Sequence, residues 1–364
     1  MSRAAVRVRI ALIAGTLGRG GAEKQLLLAG SSLRAAGLDA RVFSLTRGEA
    51  YERELESAGV PLEHVGGGSL PPLRLIALIR ALRRFRPQVV ESCHTYVNLY
   101  AALAARAIGA VGIGALRSTL SHTRRANGAW TRFLLAAPSA LIVTSAAAAE
   151  EVRRSMTPGR GRIFVVTNAV AAEEPPSVRE ITDAATVAFV GRLIPVKRLD
   201  VFLDALALAR RTAPALRGLV VGDGPERARG EERAAALGLR DAVEFTGAVE
   251  RVRDQLGRAD FLALTSDEEG FPNVVLEAMV LGVPVVSTDY SDIRRILPRP
   301  SQVVARRAPD DIAWAILDAY GDRDAIVREQ KGWARAHAGI EKAALELERV
   351  YQRYIRPAAV ARVA

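Results

Sequence analysis

Cysteine is almost absent, with Cys93 the one thiol among 364 residues. That excludes an internal disulfide and a cysteine-rich metal cluster, and it fits an intracellular chain held together by its own core. Aromatic residues are few, at 5%. Long apolar runs are missing as well. The first, residues 10–14, enters a glycine-rich segment instead of a cleavage site, which argues against a signal peptide. The longest, residues 133–149, is broken by Pro138, Ser139, Thr144 and Ser145 and falls short of the ~20 residues a spanning helix needs. The expectation is a cytoplasmic protein without a transmembrane helix.

Acidic residues are scarce in one half only. Residues 1–172 hold 23 Lys and Arg against 10 Asp and Glu, a net +13, whereas residues 173–364 hold 28 against 30, a net −2. An excess confined to one half points to a partner which that half meets, a phosphorylated substrate or an anionic membrane surface. A nucleic-acid partner is not expected. The arginine-dense stretches 80–86 and 117–132, with Trp130 and Phe133 beside them, are the candidates for a membrane-facing patch. The competing account is coding composition, because the chain is rich in Ala, Gly and Arg throughout.

What is present is enough for two domains: the length is more than twice that of a typical domain, with 49% hydrophobic and 25% charged residues. Short apolar, β-branched runs alternate with longer helical patterns, the rhythm of parallel sheets with crossover helices. Strands are predicted at residues 6–13, 40–45, 61–65, 88–92, 112–116, 140–143 and 163–166, with helices at 22–36, 73–85 and 99–108. A proline-containing polar stretch, Ala171 to Ser177, interrupts the pattern. It then restarts with strands at 186–190, 218–221, 243–246, 260–264 and 284–287, and helices at 199–211, 226–237, 251–257 and 273–281. Further helices are predicted at 310–320 and 341–355.

The fold class is therefore α/β, with two doubly wound, Rossmann-like domains facing each other across a cleft. Residues 1–170 form the first domain, 171–185 a linker and 186–340 the second, and 341–364 return as a helix to the first. In such sheets ligands sit beyond the carboxyl ends of the strands, so functional residues are sought just after them.

After the first strand runs Gly15-Thr16-Leu17-Gly18-Arg19-Gly20-Gly21-Ala22-Glu23-Lys24. Its glycines would let the backbone approach a phosphate or sugar hydroxyl at a helix start. It lacks the Gly-Lys-Ser/Thr of a P-loop and the spacing of a dinucleotide fingerprint, and a plain strand-to-helix turn explains it equally. In the second half, Arg192 and Lys197 leave a strand edge in a loop stiffened by Pro195, where both could neutralise a diphosphate. A solvated basic loop is the alternative.

The densest cluster is Ser266-Asp267-Glu268-Glu269-Gly270-Phe271-Pro272-Asn273-Val274-Val275-Leu276-Glu277-Ala278-Met279. A strand ends in acids, glycine turns the chain, and Pro272 is placed in the first turn of a helix. Amides near Asn273 and Val274 could hold phosphate oxygens, and Glu269 and Glu277 could accept hydrogen bonds from sugar or ribose hydroxyls. An ordinary helix-start charge and a solvated helix face are the alternatives for these two acids.

Taken in order, Gly191 to Asp200, Val221-Gly222-Asp223-Gly224-Pro225, Phe245-Thr246-Gly247, Glu269 to Glu277 and Gly282 to Asp289 resemble the motifs of the family-4 retaining glycosyltransferases (glycosyl transferases group 1), which have the GT-B fold. Gly20-Gly21-Ala22-Glu23 resembles their N-terminal glycine loop, and Asn168-Ala169-Val170 their crossing between domains. The resemblance covers nearly the whole chain and is most specific in the second half. It implies a retaining transfer from a UDP- or GDP-sugar to a glycan or lipid-linked acceptor, in envelope or extracellular polysaccharide or glycolipid synthesis. No metal and no cofactor are implied, the nucleotide-sugar being a substrate.

It further implies that Arg192 and Lys197 bind the donor diphosphate, Glu269 the sugar hydroxyls and Glu277 the ribose. The backbone from Gly247 to Val249 would edge the base, Gly270, Phe271, Asn273 and Val274 would line the donor, and Gly20 and Gly21 would lie near the diphosphate. The one Asp-x-Asp, Asp322-Arg323-Asp324, lies far from any predicted strand edge. Where relatives carry a glycine pair and a later glutamate after Asp289, this chain has Ser291, Asp292 and Arg295. On the acceptor side the candidates are His94, Arg117, Ser118 and His122, although a lone histidine is more often structural than catalytic. A nucleotide-sugar epimerase and a non-catalytic sugar-nucleotide-binding scaffold are the rival readings.

Overall fold

The computed structural model describes residues 8–66, 70–155, 162–171 and 185–355. The chain divides into two compact units, one formed by the described part of Met1–Ala169 with the segment from Ile340 onward, the other by Val170–Gly339. Most of the expected linker, residues 172–184, lies outside the described residues.

The first unit runs β1 (Arg9–Ala14), α1 (Gly21–Ala35), β2 (Asp39–Ser44), α2 (Tyr51–Ser57), β3 (Leu62–His64), α3 (Pro71–Phe85), β4 (Val89–Ser92), α4 (Asn98–Ile108), β5 (Val111–Leu116), α5 (Leu120–Asn127), α6 (Trp130–Ala136), β6 (Ala140–Val143), α7 (Ala146–Ser155) and β7 (Ile163–Val165). Its seven strands pair in parallel in the order β3-β2-β1-β4-β5-β6-β7. With β1 central, successive residues serve two cores. Ile10, Leu12 and Ala14 pack with Leu26 and Leu33 of α1, while Ala11 and Ile13 pack with Leu78 and Leu82 of α3 and Ala101 of α4. A strand buried on both faces reads as a continuous apolar run, which is why β1 is legible as one.

The second unit runs β8 (Thr186–Val190), α8 (Leu199–Thr212), β9 (Arg217–Val221), α9 (Arg227–Ala236), β10 (Val243–Gly247), α10 (Val252–Leu256), β11 (Phe261–Leu264), α11 (Asn273–Leu281), β12 (Val285–Thr288), α12 (Ile293–Ile296), β13 (Val303–Val304), α13 (Pro309–Gly321) and α14 (Arg323–His337). Its six parallel strands lie in the order β10-β9-β8-β11-β12-β13. The final helix, α15 (Ile340–Gln352), packs on the first unit beside α1. Tyr351 at its end is fully buried, and its hydroxyl donates to Glu91 Oε2 of β4 at 2.6 Å.

Differences from the sequence reading have local causes. The apolar run 133–149 is divided among α6, β6 and α7. Helices α2 and α14 are not expected from the pattern: α2 buries Leu55 alone, and α14 buries only Ile326, Gln330 and Ala334 in fifteen residues, too few for an apolar stripe to show. Pro272 is the residue before α11, with ψ of 112°, so the helix starts one residue later than its expected first-turn proline would place it.

In both sheets the strand order reverses direction next to the first strand, between β1 and β4 and between β8 and β11. Loops leaving the two strands of such a pair diverge to opposite faces and open a crevice at their carboxyl ends.

Candidate active site

The second unit's crevice is framed by the loop after β8 and the segment after β11, which backbone bonds join. The Asp267 amide donates to the Val196 carbonyl at 2.9 Å, and the Thr265 hydroxyl reaches the Lys197 and Arg198 carbonyls at 3.0 and 2.9 Å. Arg198 takes a left-handed conformation (φ 53°), and its guanidinium grips Asp200 by Nε at 3.1 Å and by a terminal nitrogen at 3.0 Å, with Asp267 at 3.2 Å.

Lys197 is thereby turned onto Glu269, and the two form a direct ion pair. The Ser266 hydroxyl donates to the same carboxylate oxygen at 2.8 Å. Both side chains are largely buried. Arg192, five residues upstream, is exposed, and its guanidinium forms no ion pair among the described residues.

Close approach of two glycine segments holds the β8 loop from below. Gly222, at φ +136°, lies so near Gly191 that a Cβ there would stand 1.9 Å from the Gly191 carbonyl oxygen. The Leu193 amide in turn donates to the Asp223 carbonyl at 2.9 Å. The Gly222 amide donates to the Gly247 carbonyl at 3.0 Å, which ties the turn after β10 into the same edge, and Val249 is half-buried against the neighbouring core.

Gly270 and the buried Phe271 lead into α11, whose first turn presents Asn273 and Val274, both half-buried. Glu277 is half-buried further along the helix. Tyr290, just beyond β12, carries no sequence signal of its own; it is buried, and burial together with the Glu269 charge pushes its hydroxyl well above its usual pKa.

The first unit's crevice holds a different cluster. His94, after β4, accepts the Gly15 amide proton on Nδ1 at 3.3 Å, so Nε2 carries the proton that faces Glu23 Oε1 at 2.9 Å. The Thr16 hydroxyl donates to the same oxygen at 2.9 Å. Burial pushes the Glu23 pKa up, but the His94 hydrogen bond, the charge that ring acquires in acid, and the Thr16 hydroxyl outweigh it, and the net direction is down. Gly20, extended at φ −155°, precedes α1, and a Cβ there would meet Glu23 Oε2 at 2.2 Å. Gly21 is the first helical residue. Tyr96 stacks on His94 with ring centroids 5.2 Å apart.

The remaining acceptor-side candidates are dispersed. Arg117 turns inward, with Nε donating to the Cys93 carbonyl at 3.1 Å and a terminal nitrogen 3.8 Å from buried Glu91. Burial raises the Glu91 pKa, partly offset by Arg117 and the Tyr351 hydroxyl. Ser118 Oγ lies 3.0 Å from Thr123 Oγ1, and the His122 amide is capped by Thr119 Oγ1 at 3.2 Å, so both belong to the start of α5. The sequence marks Glu23 only as part of a glycine motif; an acid in the first turn after two glycines is the signal that could have found it. Among the described residues no three His, Cys, Asp or Glu side chains gather as metal ligands. In Asp322-Arg323-Asp324, Asp322 pairs with Arg299 and Asp324 is exposed.

Comparison with known proteins covers both units. A model of Glycosyltransferase Family 4 matches residues 19–174, and one of Glycosyl transferases group 1 matches residues 184–322. A phosphatidylinositol N-acetylglucosaminyltransferase of Arabidopsis thaliana is 35% identical over 172 residues, 46% of this chain and 38% of that protein. D-inositol 3-phosphate glycosyltransferase of Geodermatophilus obscurus is 34% identical over 170 residues, 43% and 37% of the two chains. Each match thus spans well under two thirds of the relative's length. Anabaena HepE in complex with UDP-glucose superposes with a TM-score of 0.83 at 18% identity, covering 95% of this chain and 100% of the other. Sucrose-phosphate synthase of Thermosynechococcus elongatus gives 0.78 at 18%, covering 95% and 99%. At these identities the structural likeness is one of fold.

Proposed function

Because the chain belongs to the group 1, family-4 glycosyltransferases, we propose that it moves a sugar from a UDP- or GDP-sugar to a glycan or lipid-linked acceptor, with retention at the anomeric carbon and without a metal. The observation that carries this reading is the buried Lys197–Glu269 pair at the carboxyl edge of β8 and β11, with the exposed cation of Arg192 beside it.

The chemistry follows from charge. Breaking the bond from sugar to phosphate leaves negative charge on the diphosphate, and preplaced cations lower that barrier because they need no reorganisation when the charge develops. Glu269, itself held by Ser266, fixes the Lys197 ammonium in place before the donor arrives. Arg192 supplies a second cation, and the amides at the start of α11 a third electropositive element. Glu269 keeps acceptor capacity for hydroxyls of the donor sugar, and Glu277 serves the ribose. That HepE is described with UDP-glucose supports uridine donors as the first to test, and the inositol-modifying relatives support an acceptor with a polyol or lipid-linked headgroup.

A thermal-shift panel of UDP-, GDP- and ADP-sugars tests the reading, since a ligand bound only by the folded state raises the unfolding midpoint. One nucleotide class is expected to raise it, Glu277→Ala to reduce that rise, and EDTA to leave turnover with that donor nearly unchanged. Loss of activity in chelator with rescue by Mg²⁺ or Mn²⁺ would count against metal-free transfer; no shift with any donor would count against the donor site.

A further inference from the structure

The first unit's sheet separates two helical layers. Helices α1, α2 and α15 share a core with Ile10, Leu12, Ala140 and Ile142, whereas α3 and α4 pack on Ala11 and Ile13, and α5, α6 and α7 on Leu141 and Val143. The alternation along β1 and β6 puts these two sets on opposite faces.

Their charge differs sharply. Helices α3 to α6 carry eight arginines, at 74, 80, 83, 84, 106, 124, 125 and 132, and no acid; α1, α2 and α15 carry five cations and seven acids. Helix α7, against the edge strand β7, is balanced, with Glu150 and Glu151 beside Arg153 and Arg154. Across residues 70–137 the one acid is Glu91, which is 2% exposed. Coding composition would load both faces of one domain alike, so it does not account for this pattern.

Exposed apolar side chains follow the arginines. Trp130 and Phe133, 66% and 61% exposed, stand side by side on α6 with ring centroids 5.6 Å apart. Leu70, Leu73 and Ile76 are exposed at the start of α3, and Leu103 on α4. Along α3 the outward positions change from Leu73 and Ile76 to Arg80 and Arg83, and neither of these arginines forms an ion pair among the described residues. The three helices of the opposite face expose one large apolar residue, Leu345. Arg117, expected in the basic patch, is turned inward and does not contribute.

We propose that the face formed by α3, α4, α5 and α6 docks on a bilayer containing anionic phospholipid. Cations without neighbouring acids are attracted to such a surface, while exposed aromatic rings enter the boundary between headgroups and acyl chains. A soluble polyanion would satisfy the arginines but leave Trp130, Phe133, Leu73 and Ile76 without a use, and the combination of both therefore selects a membrane. No described helix is long and apolar enough to cross one, so the attachment is to the surface. This inference stands apart from the transfer reaction, and its test needs neither donor nor acceptor.

The test is co-sedimentation of the full chain with phosphatidylcholine vesicles, with and without phosphatidylglycerol. Binding is expected only with the anionic lipid and is expected to fall as salt rises. The double variant Arg80→Ser/Arg83→Ser should lower the partition constant about fivefold for each arginine. Trp130→Ser/Phe133→Ser should also lower it, and Arg53→Ser/Arg349→Ser on the opposite face should leave it unchanged. Unaltered thermal midpoints show that the variants fold. Brominated lipid should quench wild-type fluorescence and quench Trp130→Phe less. Equal binding to neutral vesicles, equal loss from the opposite-face variant, or capture by a soluble polyanionic glycan with no vesicle binding would each overturn the proposal.

Discussion

The two crevices place a largely buried carboxylate at the same topological point and give it opposite company. After β8 and β11, Glu269 is paired with a lysine, and an exposed arginine stands nearby. After β1 and β4, Glu23 is held by a histidine and a threonine hydroxyl. The first arrangement presents positive charge to an anionic ligand; the second offers one uncharged donor ring and a carboxylate whose lone pairs are largely used. The equivalent place in two similar sheets thus suits a diphosphate in one unit and a neutral hydroxyl-bearing group in the other.

Lys197→Ala breaks the comparison most severely. It removes the preplaced cation, and the expected loss is about 10² to 10³ in kcat, because one electrostatic donor to a developing charge is typically worth that much. Wild-type kinetics with a confirmed donor would remove the second unit as donor site.

The glycines give the next largest contrast. Gly222→Ala drives a Cβ against a backbone carbonyl in a left-handed conformation, and a stability loss of about 3 kcal/mol or more is expected in a denaturant titration. Gly20→Ala meets only the movable end of Glu23, in an extended conformation that any residue adopts, and should cost under about 1 kcal/mol. Equal costs would show that the β8 loop is not held by close backbone approach.

The smallest effects are slopes with pH. The lowered pKa of Glu23 means that its contribution to stability is present above the unfolded value and is lost as pH falls through the folded one. For Glu91, raised by burial, the contribution is full below the unfolded value and declines as pH rises through the folded one. Midpoints measured across pH should therefore show Glu23→Gln flattening the acid-side loss and Glu91→Gln flattening the decline in the other direction. The same slope change from both variants would contradict the assignment.

Most of the architecture was legible because parallel strands buried on both faces are written as unbroken apolar runs, and all seven strands of the first sheet and five of the six in the second were placed within a few residues. The two-residue β13 was too short to carry a period, and α14 too polar. The second unit's motif was readable in the same way, since Arg192, Lys197, Glu269 and Glu277 lie in short segments next to predicted strand ends. In the first unit the sequence offered His94, Arg117, Ser118 and His122 as equals, and the fold separates them: His94 joins Glu23, Arg117 goes inward, and the other two serve the start of α5.

Local sequence determined which segments are strands and helices, because propensity and apolar period act over a few residues. Which side chains meet was decided only by the order of strands in each sheet, which brings Glu23 to a histidine 71 positions away and Lys197 to a carboxylate 72 positions away. The same ordering sorted an arginine excess, spread along the chain, onto one face of one domain; charge has no period to read in one dimension, and the sheet is what divides its two sides.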